Sequence, residues 1–96
     1  MLVLITYDVN TENYDGKVRL RKVAKQCVNY GQRVQNSVFE CLLDASQAKR
    51  LQSELLELID LNKDSLRFYY LGNKYNMKIE QFGINSGYNP QSPLII

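Results

Sequence analysis

A carboxylate closing a short apolar run is the first group in this chain able to do chemistry. Asp8 directly follows Leu2-Val3-Leu4-Ile5-Thr6-Tyr7, a β-rich run bounded by Asp8 and Asn10. A carboxylate at the end of a buried strand can hold Mg²⁺, a hard ion that favours oxygen ligands and keeps several waters. A lone carboxylate makes a thin metal site, and two copies of Asp8 brought together by a two-fold axis make a better one. The same side chain also suits a plain loop cap that bonds the backbone N–H of Val9 or Asn10. Glu40, in Ser37-Val38-Phe39-Glu40, is a second candidate acidic ligand and equally an outward strand position.

The second feature is an uneven spread of charge. From Gly16 to Phe39 there are six basic residues (Lys17, Arg19, Arg21, Lys22, Lys25 and Arg33) and no acidic one, half of the chain's 12 lysines and arginines. Arg21, Lys22 and Lys25 fall opposite the apolar stripe of Leu20, Val23 and Cys27, with Arg19 beside them. A basic helix face doubled by a two-fold axis would present two phosphate-binding stripes suited to a duplex backbone. A solvated polar face is the plainer alternative, although solvated helices usually mix signs. Phe68, Tyr69 and Tyr70 offer either base-stacking rings or core and interface.

The remaining composition mainly excludes. Histidine is absent, which rules out Ser-His-Asp and Cys-His triads, the zinc helix HExxH and any imidazole general base within the chain. Two cysteines, Cys27 and Cys41, make neither a disulfide framework nor a four-ligand zinc site, and read as buried hydrophobes in a reducing compartment. No P-loop or dinucleotide fingerprint is present. The longest apolar stretch is far short of the roughly 20 residues that span a bilayer. The N-terminus lacks the basic start and cleavage site of a signal peptide, so a cytoplasmic location is expected. A net charge of +2 names no partner, and 45% hydrophobic residues is a globular composition.

The elements that must position these groups are legible in outline. The first strand is apolar on both alternating faces, as in a central strand covered on both sides. Helices can cover one side, but 96 residues hardly supply a second layer, so a subunit partner is expected. After a polar loop from Asn10 to Gly16, Lys17 to Tyr30 reads as helix, with Leu20, Val23, Ala24, Cys27 and Val28 inward and Gly31 suited to the residue that closes it. Arg33 to Leu43 is strand-like but its alternation breaks at Gln35-Asn36-Ser37, giving either two short strands about a tight turn or one strand bent by a bulge. Asp44 and Gln47 form a capping-box pattern for a second helix to about Asp60. Leu66 to Leu71 and Met77 to Phe82 read as further strands. The tail from Asn85 should be extended, and its final Leu94-Ile95-Ile96 should dock as a strand on a sheet edge. The expected organisation is one domain over residues 1–84 with a tail over 85–96. The expected class is α+β, a ferredoxin-like βαββαβ sandwich, a fold that by itself settles no function.

Taken in order, Tyr7-Asp8-Val9, the basic Arg19-Leu20-Arg21-Lys22-Val23, Gly31, and Arg33-Val34-Gln35 leading into Ser37-Val38-Phe39-Glu40 resemble the small adaptation proteins of CRISPR systems, the CRISPR-associated protein two family. The resemblance spans about residues 1–82. It implies a ferredoxin-like homodimer in which the two Asp8 residues meet across the axis. It also implies a metal-dependent endonuclease on single-stranded RNA or double-stranded DNA, and a scaffold for the CRISPR integrase around a spacer precursor. By this analogy Asp8 is the Mg²⁺ ligand, with Tyr7 beside it in the catalytic site. Arg19, Arg21 and Arg33 become phosphate contacts, joined on the helix face by Lys22 and Lys25. Phe39 stands at the family's aromatic position and, with Leu94 and Ile95 of the terminal strand, is expected to serve dimer or partner docking. The virulence-associated D-type ribonuclease toxins share the fold, and a purely structural scaffold without catalysis is a further alternative.

Overall fold

The computed structural model describes residues 1–71 and 78–84. The elements run β1 (Leu2–Asp8), α1 (Tyr14–Val28), β2 (Gly31–Gln35), β3 (Val38–Leu42), α2 (Ala45–Leu58), β4 (Ser65–Tyr70) and β5 (Lys78–Gly83). The strands form a five-stranded sheet in the order β2-β3-β1-β4-β5. Every neighbouring pair is antiparallel. Each helix connects strands that flank a third one, which is the split βαβ crossover of the ferredoxin-like fold, here extended by β5 at one edge.

Because both crossovers straddle the middle of the sheet, β1 is bonded on both sides, to β3 and to β4. Its alternation then decides what faces where. Val3, Ile5 and Tyr7 enter a core shared with Val23 and Cys27 of α1, Ala48, Leu51 and Leu55 of α2, and Phe39, Leu66 and Phe68 of the sheet. Leu2, Leu4, Thr6 and Asp8 point to the opposite face, where Leu4 lies between Glu40 and Tyr69. Leu42 on that face is 78% exposed, the apolar second face that the sequence pattern anticipates.

Local capping adjusts the expected boundaries. Helix α1 begins at Tyr14, three residues before the expected start at Lys17, because the Asn13 side chain accepts the Gly16 N–H at 3.1 Å and opens the helix inside the polar loop. It ends on Asn29, whose N–H bonds back to Cys27 and Gln26. Gly31 therefore opens β2 rather than closing the helix. Helix α2 carries the expected capping box, Asp44 Oδ1 accepting from Gln47 N–H at 2.7 Å and Gln47 Oε1 from Asp44 N–H at 3.0 Å.

The segment from Arg33 contains both features that the sequence offered as alternatives. A two-residue turn, Asn36-Ser37, separates β2 from β3, and the register shifts between Arg33 and Gln35. No residue other than Gly83 has positive φ among those described, so the turn is not one of the primed types that match strand twist; the bulge supplies the extra twist. The tail with Leu94 and Ile95 lies outside the described residues. No helix among them is long and apolar enough to cross a membrane.

Candidate metal and nucleic-acid site

Asp8 is the last residue of β1. It pairs with Ser65 across β4, whereas the ladder to β3 stops at Thr6 and Val38. Its carboxylate is exposed and stands on the sheet face away from the helices. Glu40 is also exposed and on this face, but opposite Leu4. That places it four residues back along the strand, about 13 Å away, so one chain does not bring the two carboxylates together. Among the described residues no three acidic or cysteine side chains converge on a possible metal position. The chain thus offers an ion one hard oxygen donor in the open, which fits Mg²⁺ holding most of its own water and does not fit a caged metal.

Tyr7 lies elsewhere. It is 5% exposed, on the helix side of the sheet, with its ring stacked on Phe39 at 6.2 Å and its hydroxyl donating to Asn36 O at 3.4 Å. Burial raises its phenol pKa, partly offset by Arg33. The expectation that Tyr7 stands beside Asp8 in a catalytic site is corrected: strand alternation separates the two side chains by the thickness of the sheet. Phe39 is likewise a core residue, 0% exposed, and not a docking surface. Phe68 is fully buried, stacked on Tyr70 at 6.2 Å and edge-on to Phe82 at 6.5 Å. These rings are core, not a base-stacking platform.

The basic residues divide into two sets. Arg21, Lys22 and Lys25 are exposed on α1, opposite Val23 and Cys27, and form the basic face expected there. Arg33 is exposed on β2, its guanidinium 5.2 Å from the centre of the Phe39 ring, a cation–π contact that leaves the outer edge of the group available. Arg19 is not on this surface. Its Nε donates to Asp64 Oδ2 at 2.8 Å, with side-chain exposures of 16% and 0% for the two residues, so its charge is already matched inside the protein. The basic face of α1 also points away from the sheet, on the side opposite Asp8.

The family model described as CRISPR associated protein Cas2 matches residues 1–79. The chain belongs to the Cas2 family. A relative named CRISPR-associated endonuclease Cas2, from Halalkalibacterium halodurans, is 59% identical over 95 residues, covering 99% of each chain. One named CRISPR-associated endoribonuclease Cas2, from Nitratidesulfovibrio vulgaris, is 52% identical over all of this chain and 94% of its own. The crystal structure of Streptococcus pyogenes Cas2 superposes with a TM-score of 0.71 at 55% identity, over 78% of this chain and 90% of that one.

One residue of this Cas2 chain escapes sequence reasoning altogether. Asp64 sits in the polar string Asp60-Leu61-Asn62-Lys63-Asp64, which reads as a solvated turn, yet it is fully buried. The partners that make burial tolerable, Arg19 and the N–H groups of Asn10 and Asp60, are up to 54 residues away. Burial raises the Asp64 pKa, but hydrogen bonds from Arg19 and from those two N–H groups outweigh it and hold the carboxyl below its ordinary value. No local signal marks the position.

Proposed function

We propose that this Cas2 protein is a homodimeric, Mg²⁺-dependent endonuclease that binds nucleic acid chiefly through phosphates and serves CRISPR spacer acquisition with the integrase in the cytoplasm. The observation that carries the catalytic part is the placement of Asp8: an exposed carboxylate at the end of the central strand, on a sheet face with exposed apolar residues. A second copy packed there would bring another Asp8 near the first. Mg²⁺ held by Asp8 would polarise a phosphodiester and acidify a bound water. Arg21, Lys22, Lys25 and Arg33 hold phosphates on the helix side of the sheet. With no histidine in the sequence, no imidazole assists as a base. Double-stranded DNA and single-stranded RNA both carry the phosphates this surface needs. The names of the relatives support nuclease activity and, together with the family match, favour CRISPR adaptation over a toxin.

A second reading, a scaffold without catalysis, is favoured by one feature. The basic face of α1 and Asp8 lie on opposite sides of the sheet, so binding does not need the carboxylate. Asp8→Asn separates the two, since asparagine keeps the shape and capping ability but not the charge. Purified alongside the parent protein, the variant should keep its dimer mass by light scattering and its duplex affinity while metal-dependent cleavage collapses. Cleavage equal to the parent's leaves only the scaffold, and a monomer at micromolar concentration removes the paired-Asp8 site.

A further inference from the structure

Directly behind Asp8 lies a buried polar cluster that the proposed chemistry leaves unused. Asp64, 0% exposed, accepts four hydrogen bonds. Its Oδ1 takes Asn10 N–H at 3.0 Å and Arg19 Nη2 at 3.3 Å; its Oδ2 takes Arg19 Nε at 2.8 Å and Asp60 N–H at 2.9 Å. Arg19 Nη2 also reaches Asn10 O at 3.4 Å. Both backbone polar groups of Asn10, two residues beyond Asp8, are therefore gripped by a single ion pair. Asp64 in turn precedes Ser65, the residue opposite Asp8 in the β1–β4 ladder. Its carbonyl accepts Ile84 N–H at 2.9 Å and ties in the end of β5.

Two glycines open the space for this grip. A Cβ on Gly16 would lie 1.8 Å from Asn10 O, and one on Gly83, whose φ is +87°, would lie 2.0 Å from Asp64 O. The arrangement matters for Asp8 because bonding on the β3 side ends at Tyr7, whose N–H donates to Ser37 O at 3.1 Å, so Asp8 itself is paired only with β4. Beyond Tyr7, Asp8 is held by its pairing with Ser65, the residue after Asp64, and by the path of the chain through Asn10, which the ion pair grips. Apolar residues of similar volume would often stabilise a fold as well as a buried ion pair does. A bidentate arginine–carboxylate pair adds directional geometry that apolar packing lacks.

We propose that Arg19 and Asp64 are positioning residues for Asp8, setting where its carboxylate stands for a divalent cation, and that Arg19 is not a phosphate contact. The inference rests on the reading of Asp8 as a metal ligand. Outer partners hydrogen-bonded to a metal ligand typically change metal affinity 10- to 100-fold when removed; Asp64 acts on Asp8 only through the backbone of Asn10, so an effect at the low end of that range is expected.

The test uses Mn²⁺ as the probe, titrated into the full chain without nucleic acid and followed by the paramagnetic signal of the free ion. Duplex binding in chelator, measured over a range of salt, is the second readout. Asp8→Asn should abolish the Mn²⁺ site. Asp64→Asn and Arg19→Gln should each weaken it about tenfold, Arg19→Lys should recover part of the loss, and none of the three should change the salt slope. Parent-like Mn²⁺ affinity in both Asp64→Asn and Arg19→Gln, with Asp8→Asn inactive in binding, overturns the positioning role alone, even if the melting temperatures fall. A slope reduced by about 0.9 in Arg19→Gln but not in Asp64→Asn makes Arg19 a phosphate contact and overturns it too. If Asp64→Asn does not fold, Arg19→Gln and Arg19→Lys decide, because Asp64 then keeps its two backbone donors. Mn²⁺ binding unaffected by Asp8→Asn identifies the other failure, that of the metal-ligand reading, and the positioning role falls with it.

Discussion

Tyr7 and Asp8 adjoin in the chain and stand on opposite faces of the sheet, the phenol stacked in the core against Phe39 and the carboxylate in the open. Their substitutions should therefore separate cleanly. Tyr7→Phe removes a hydroxyl that bonds Asn36 O and interacts with Arg33, and should cost about 1 kcal/mol in denaturant unfolding while leaving cleavage within a few-fold of the parent. Tyr7→Ala should cost about 4 kcal/mol through the cavity it opens. A hundredfold loss of cleavage in a well-folded Tyr7→Phe protein would return the phenol to the chemistry.

Nucleic-acid affinity should follow the exposed basic residues of α1. Arg21→Ala and Lys25→Ala should each lower the slope of log affinity against log salt by about 0.9 for a duplex, and should weaken unrelated sequences equally. Fluorescence anisotropy from low to moderate salt checks this. An unchanged slope in the double variant would make this helix face an ordinary solvated surface.

Acid stability should carry the signature of Asp64. Its folded pKa lies below the unfolded one, so its contribution is complete above the unfolded carboxylate range and is lost as pH falls through the folded value. Asp64→Asn should lower stability near neutral pH, since a neutral amide gives Arg19 no counter-charge and turns a donor towards N–H groups that the carboxylate accepts from. The variant should also lose less stability than the parent between about pH 5 and pH 2. Parallel stability curves for the two proteins over that range would contradict the assignment.

The cysteines should be chemically quiet. Burial pushes the Cys27 thiol up to about 12, with Cys41 adding to the shift, and the Cys41 thiol up to about 11, with Glu40 adding to it. At pH 8 the thiolate fraction is then about one part in a thousand or less, and the thiolate is the reactive species. Ellman's reagent should find almost no thiol in the native protein and two per chain after denaturation. Rapid native labelling would mean that α1 or β3 opens readily.

Strand β1, the inward stripe of α1 except Val28, the capping box of α2 and the class of fold were all legible, because periodicity and caps are local: they depend on residues within a turn or two of one another. Val28, expected inward, is 59% exposed in the last turn of α1, where the helix stops short of the core. Asp8 was legible as a candidate for the same reason, being a charge at the end of an apolar run. What only the tertiary structure decided were the partners. Arg19 looks in sequence like Arg21, two positions on, yet one meets a buried carboxylate 45 residues away and the other meets water. Tyr7 and Phe39 look like site residues beside Asp8 and Glu40, yet the pairing of β1 with β3 turns both rings into the core. Asp64, which anchors the chain behind Asp8, shows no sign of itself in its own neighbourhood. A buried ion pair is a property of two distant segments meeting, and its cost and its geometry exist only once the fold has brought them together.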